Sequence, residues 1–193
     1  MSDYCDYIFK IPLLHLSIKN WEQKKLELLT MMNEVEMNIS KGEYIKTDYY
    51  TKQNTEFTLK HNQKVSEILK EEIQSFCDYF KFCYHKVSMS WFQVASKGNY
   101  HGIHNHGAVG YSSVCFIDYD PKEHTPTQFV SPFHNFITGD FLEYGPEVKE
   151  GSIIFFPSVI MHYTEPNQSD KQRTILSFNI DVKENHNQRP RYS

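Results

Sequence analysis

No stretch of this chain approaches the roughly 20 consecutive apolar residues that a membrane-spanning helix needs, so a helical membrane protein is excluded. Cysteine is scarce: the four thiols, Cys5, Cys77, Cys83 and Cys115, include no C-x-x-C pair. No charged-then-apolar signal segment opens the chain, and together these features lead us to expect reduced thiols and a cytoplasmic location. An excess of positive charge is also missing. Twenty Lys and Arg against 24 Asp and Glu give a formal charge of -4, so no overall field draws in nucleic acid. Internal repeats and low-complexity tracts are absent, which leaves an ordinary globular protein.

What the chain has in quantity is aromatic residues. Thirteen Tyr and 14 Phe help bring the aromatic fraction to 15% and the hydrophobic fraction to 39%, which favours a β-rich core. At 193 residues there is material for one core and too little for two ordinary domains. We therefore expect a single domain over 1–193.

Residues Tyr4 to Leu14 read as an edge strand or extended arm. Between Lys19 and Asn38, Trp21, Leu26, Leu29, Met32 and Val35 recur at three- to five-residue steps among Glu and Lys, the pattern of an amphipathic helix. Residues 43 to 57 are polar and read as a loop. A second helix is expected from Leu59 to Cys83, with Val65, Ile68, Leu69, Ile73, Phe76 and Phe80 on one stripe. Past His85 the period changes to two: Val87, Met89 and Trp91 alternate with serines, and a turn follows at Lys97-Gly98-Asn99. Further strands are expected over Tyr111 to Asp118, Thr127 to Val130, Ser152 to Phe156 and Thr174 to Val182. Helices first and strands second make the class α+β, mainly β, with an antiparallel sheet. The expected organisation is helical support over 1–84, a barrel core over 85–182 and a polar tail over 183–193.

Four residues carry the chemistry. His104 and His106 are one residue apart on a segment expected to be extended, so they share a face. His162 follows the apolar run Ile153-Ile154-Phe155-Phe156-Pro157 and can complete a facial set; neutral imidazoles suit iron, nickel, copper and zinc. Arg173 begins an apolar strand, where a buried guanidinium needs an anionic partner, either a carboxylate of the chain or a ligand. His101 lies three residues before His104 and should face away from it on an extended strand. His15, His61, His85, His124, His134 and His186 have no companion at ligand spacing and read as ordinary residues. The consecutive His-Asn-His spells the name of a nuclease class, but that motif disperses its residues over a ββα unit, and no basic cluster flanks the run here.

The string formed by His104-Asn105-His106-Gly107, the strand Ser113-Val114-Cys115-Phe116, Gly151 through Ser158, His162, and Arg173 through Asn179 resembles the 2-oxoglutarate and Fe(II)-dependent oxygenases. Within them it is most similar to a group of oxygenases common in phages and bacteria. The resemblance spans about residues 85 to 182. It implies a double-stranded β-helix, a cupin-like jelly roll with N-terminal supporting helices. It also implies Fe(II) held by His104, His106 and His162, 2-oxoglutarate as co-substrate with its C5 carboxylate on Arg173, and dioxygen as oxidant. The activity implied is a hydroxylase that oxidises a C–H bond of a small-molecule or peptide substrate and releases succinate and CO2. A homo-oligomer is compatible with the sequence.

Two positions depart from the common pattern. The wider superfamily has Asp or Glu where this chain has His106, so the site carries one more positive unit. Three-histidine iron sites occur in cupin dioxygenases that use no 2-oxoglutarate, which makes such a metalloenzyme the alternative, with a non-catalytic jelly-roll binding module as a third reading. Asp118, Asp140 and Glu165 are the candidates for a carboxylate ligand arriving from elsewhere. Some members also place Ser two residues after the Arg, where this chain has Ile175; Tyr111 and Ser113, on one face of their strand, are the candidates to assist the C5 carboxylate, with Tyr100 a weaker one. Residues 133 to 149 are expected to form a lid over the mouth.

Overall fold

The computed structural model describes residues 10–40, 45–49 and 55–184. The expected arm over Tyr4 to Leu14 falls mostly outside these residues, as does the polar tail. The first described strand, β1, is Leu14–Ser17.

Helix α1, Trp21–Asn33, follows Asn20 in a left-handed conformation (φ 52°) and buries Lys24, Leu28 and Met31, which are spaced i, i+4 and i+7 on one face. A lysine inside that stripe needs a counter-charge. Lys24 Nζ donates to both oxygens of Glu72 at 3.0 and 2.8 Å, and the Lys19 N–H donates to the same carboxylate at 2.9 Å. The pair pins α1 to a later helix. The expected helix from Leu59 to Cys83 is two: α2, Thr55–Ile68, and α3, Lys70–Phe80. Leu69, at φ -100° and ψ 23°, interrupts the helical geometry, yet its N–H bonds Val65 O and its carbonyl accepts from Ile73. The apolar stripe therefore continues through a bend. α3 stops at Lys81, left-handed at φ 59°, whose N–H returns to Asp78 O and Cys77 O.

The strands form two antiparallel sheets. Besides β1 they are β2 (Asn38–Ile39), β3 (Lys46–Thr47), β4 (Phe82–Ala95), β5 (His101–His104), β6 (Tyr111–Asp118), β7 (Gln128–His134), β8 (Phe141–Tyr144), β9 (Ser152–Pro157), β10 (His162–Thr164) and β11 (Arg173–Glu184). The large sheet has the order β1-β9-β6-β11-β4-β3-β2 and the small one β5-β10-β7-β8. Strands β6, β9 and β11 follow the expected bounds closely. The segment expected as a lid contains β8, paired with β7 as a hairpin.

One face of the large sheet packs on the helices, burying Cys115, Ile117, Ile153, Phe155, Leu176, Phe178 and Ile180 with Leu28, Val65, Ile73 and Phe76. The opposite face buries Val114, Phe116, Ile154, Phe156 and Ile175 with Phe129 of the small sheet. Strands β6, β9 and β11 are thus covered on both sides, which is why they read as continuous apolar runs. The three expected roles along the chain are only partly separate in space, because β1, β2 and β3, all before residue 84, add strands to the large sheet.

Candidate metal centre and anion site

The centre lies where the small sheet meets the inner face of the large one. His104 ends β5 and His162 begins β10; the two are direct cross-strand partners, so their side chains project from one face. Chain reversal after β5 then carries His106 across to the large sheet. Its N–H donates to Ser158 O at 2.9 Å, and its ring approaches the indole of Trp91, with centroids 5.2 Å apart. One ring nitrogen from each of His104, His106 and His162 lies within 4.8 Å of the others.

In all three imidazoles Nδ1 meets an oxygen that can only accept. His104 Nδ1 is 2.7 Å from Gly102 O, His162 Nδ1 is 2.9 Å from Ile160 O, and His106 Nδ1 is 2.8 Å from Asn179 Oδ1. Each proton must therefore sit on Nδ1, and each lone pair on Nε2. This is the outer-shell arrangement that orients metal-binding histidines. Burial holds His106 down to about 4, although its hydrogen bond to Asn179 works the other way. Burial holds His162 down to about 3, with His104 and His106 adding to the effect. Both are neutral at pH 7, the form a metal requires. The residues present thus fit a divalent first-row ion bound through imidazole. Among the described residues, the metal-competent cluster contains no carboxylate. Asp118, an expected alternative, pairs instead with Lys25 at 2.9 Å.

His101 overturns its expectation. It lines the same pocket as the three histidines, and its ring centroid is 3.9 Å from that of His104. The cause is a β-bulge. His162 pairs with His104 and Thr164 with His101, so two steps along β10 face three along β5, and the extra residue reverses the alternation. Gln93 Nε2 donates to His101 Nδ1 at 3.1 Å, which places the His101 proton on Nε2, opposite to the other three rings.

From this centre the inner ridge of β11 runs through Asn179, Ser177 and Ile175 to Arg173. Only 3% of Arg173 is exposed, and burial lowers its pKa to about 10. Nη1 donates to Thr125 O at 3.0 Å, and no carboxylate forms an ion pair with it among the described residues. A guanidinium so placed has lost its hydration without gaining a counter-ion. Buried Thr127, Thr164 and Gln93 line the histidine pocket, so an anion reaching from that pocket to Arg173 would meet one strong charge and several hydrogen-bonding groups.

Tyr111 and Ser113 do not share this pocket. The Tyr111 ring packs on Phe76, Phe80 and Phe82 at 5.1 to 5.5 Å, on the helix side of the sheet. Ser113 sits between Phe155 and Phe178 of the flanking strands, and its buried hydroxyl has no hydrogen-bond partner. The inward residues of β6 are Ser112, Val114 and Phe116. Both faces of this strand are buried, so alternation gave no way to tell inside from outside. Tyr100, the weaker candidate, is partly exposed. Asn179, Gln93, Thr127 and Thr164 carried no spacing signal that marked them, although Asn179 lies in the Ser-Phe-Asn run.

A sequence profile of the family described as "Putative 2OG-Fe(II) oxygenase" matches residues 89–179. No curated protein matches the chain. Among solved structures, the fold is similar to the non-heme alpha-ketoglutarate-dependent carbocyclase SnoK of nogalamycin biosynthesis, at TM-score 0.64 and 13% identity over 89% of this chain and 80% of that one. It is similar to HygX of Streptomyces hygroscopicus, crystallised with nickel, 2-oxoglutarate and hygromycin B, at TM-score 0.63 and 9% identity over 87% and 82%. The viral collagen prolyl hydroxylase vCPH of Paramecium Bursaria Chlorella virus-1, in complex with 2OG, matches at TM-score 0.57 and 13% identity over 89% and 96%. At these identities the likeness is one of fold, the jelly roll, and the matched span contains the three histidines and Arg173. Over this barrel core, residues 89–179, the chain matches the 2OG-Fe(II) oxygenases, a family of enzymes.

Proposed function

We propose that this protein is a 2-oxoglutarate-dependent hydroxylase in which His104, His106 and His162 hold Fe(II) through Nε2 and Arg173 receives the C5 carboxylate of 2-oxoglutarate. The observation that carries this reading is the pairing of three imidazoles in one tautomer with a buried guanidinium that has no carboxylate partner among the described residues. Iron and 2-oxoglutarate, when bound, supply the oxidising power, with 2-oxoglutarate converted to succinate and CO2 as one atom of dioxygen enters a substrate C–H bond.

The chain's own residues do the rest. Arg173 fixes the distal carboxylate and so sets the direction in which the co-substrate lies. Gly102 O, Ile160 O and Asn179 Oδ1 keep the Nδ1 protons in place and the Nε2 lone pairs inward. Val114, Ile175, Phe129 and Phe156 form dry walls that exclude water from the centre. The substrate meets the site from the side of the β7–β8 hairpin, whose tip residues Phe136 and Ile137 are 92% and 95% exposed. That apolar rim supports a role in substrate contact for the segment expected as a lid.

The test is to load purified protein with Fe(II) anaerobically, add 2-oxoglutarate and oxygen, and measure succinate. Substrate-independent turnover or a 2-oxoglutarate-induced rise in melting temperature is expected; neither appearing would end the reading. The three-histidine set favours one competitor, a dioxygenase that uses no 2-oxoglutarate. In that case Arg173→Ala would leave activity intact while His104→Ala abolished metal binding.

A further inference from the structure

The three imidazoles are not held alike. His104 and His162 bond to backbone carbonyls two residues away, Gly102 O and Ile160 O, so their own local backbone supplies the restraint. His106 lies beyond the end of β5 and bonds instead to a side chain 73 residues away. This is the position where the wider superfamily has a carboxylate. A carboxylate can present either oxygen to a metal, whereas an imidazole must have the right nitrogen deprotonated, so replacing one by the other creates a need for a tautomer-setting partner.

Asn179 meets that need, and it is itself restrained. Its Oδ1 accepts from His106 Nδ1 at 2.8 Å and from the Ser112 hydroxyl at 3.0 Å. Ser112 Oγ is in turn 2.9 Å from Ser158 Oγ. Ser112 is the cross-strand partner of Asn179 on β6, and Ser158 carries the carbonyl that accepts the His106 N–H. A closed circuit results, running from the His106 ring through Asn179, Ser112 and Ser158 to the His106 backbone. With two donors directed at it, the carboxamide oxygen faces the ring; the reversed amide would turn both bonds round and put the His106 proton on Nε2.

We propose that Asn179, locked by Ser112 and Ser158, is the positioning residue that fixes His106 in its Nδ1–H tautomer and thereby lets an imidazole stand in the carboxylate position of this metal site. The inference rests on the reading of the three histidines as metal ligands, but its first consequence is visible without any metal. Asn179 acts through His106, whose Nδ1 it holds.

The experiment compares wild type, Asn179→Leu and Asn179→Asp in metal-free protein by nitrogen-15 NMR of the histidine rings, followed by Co(II) titration. Wild type should show His106 protonated at Nδ1. Asn179→Leu should shift His106 to the Nε2–H form or a mixture, with His104 and His162 unchanged, and weaken Co(II) binding by about 10- to 100-fold. Asn179→Asp keeps an acceptor in the same place and should restore both the tautomer and the affinity, which separates orientation from a general packing defect. An unchanged His106 tautomer with unchanged Co(II) affinity in Asn179→Leu would overturn the proposal, as would an Nε2–H His106 in wild type. Failure of wild type to bind Co(II) at all would sink the metal-site reading instead, while the ring spectra would still decide the role of Asn179.

Discussion

His101 and His104 lie three residues apart on one strand yet face the same way, with ring centroids 3.9 Å apart. The bulge that brings them together does not make them equivalent. Gln93 donates to His101 Nδ1, whereas Gly102 O accepts from His104 Nδ1, so the two rings turn opposite chemical faces to the pocket. His101→Phe should therefore retain Co(II) stoichiometry, while His104→Ala should lose affinity by more than the roughly 100-fold that outer-shell changes cost. Isothermal titration of both variants checks this, and metal loss in His101→Phe equal to that in His104→Ala would place His101 among the ligands.

Arg173 is kept at a cost to the empty fold. A buried guanidinium without a carboxylate partner is desolvated and uncompensated, so Arg173→Met should leave the ligand-free protein at least as stable as wild type in urea. The same variant should lose about 2 to 5 kcal/mol of 2-oxoglutarate binding, the usual cost of truncating one member of a buried charged pair. A thermal-shift titration reads both effects. A variant that is less stable and still binds 2-oxoglutarate normally would show that Arg173 serves the fold.

Stability of the metal-free protein should fall with acid. His106 and His162 are held by burial at about 4 and about 3, below the ordinary histidine value of 6.5. Between those values and 6.5 the unfolded chain binds protons that the folded one refuses, so stability is full above about pH 6.5 and declines as pH drops toward 4 and 3. Urea unfolding at a series of pH values should show this slope, and His162→Gln should flatten it. A profile that is level from pH 7 to 4 would contradict the burial of these rings.

Ser113 gives the opposite kind of test, because the sequence pointed to it and the structure sets it aside. Its hydroxyl is buried without a partner among aromatic rings, a situation that costs about 1 to 3 kcal/mol. Ser113→Ala should be neutral or stabilising by about 1 kcal/mol, with the KM for 2-oxoglutarate unchanged. Weaker 2-oxoglutarate binding in this variant would return Ser113 to the co-substrate site.

The sequence by itself determined the strands that carry the site, the amphipathic stripe of the helices, the His104, His106 and His162 set, and Arg173. Each of these was legible because it depends on local pattern: apolar runs bounded by turn residues for Tyr111 to Asp118 and Ser152 to Phe156, period two for Val87 to Trp91, helical period for Val65 to Phe80, and a histidine pair followed by an apolar strand and a third histidine. The tertiary structure alone decided which residues face that site. Strands β6 and β11 are buried on both sides, so apolarity marked neither face, and Tyr111 and Ser113 turned out to lie against the helices while Ser112 and Asn179 look inward. His101 was hidden for a related reason, since one inserted residue in β5 shifts the register against β10 and no local pattern announces it. Asn179 reaches His106 across 73 residues. That contact exists only once the two sheets have closed, and it is what gives the third imidazole its orientation.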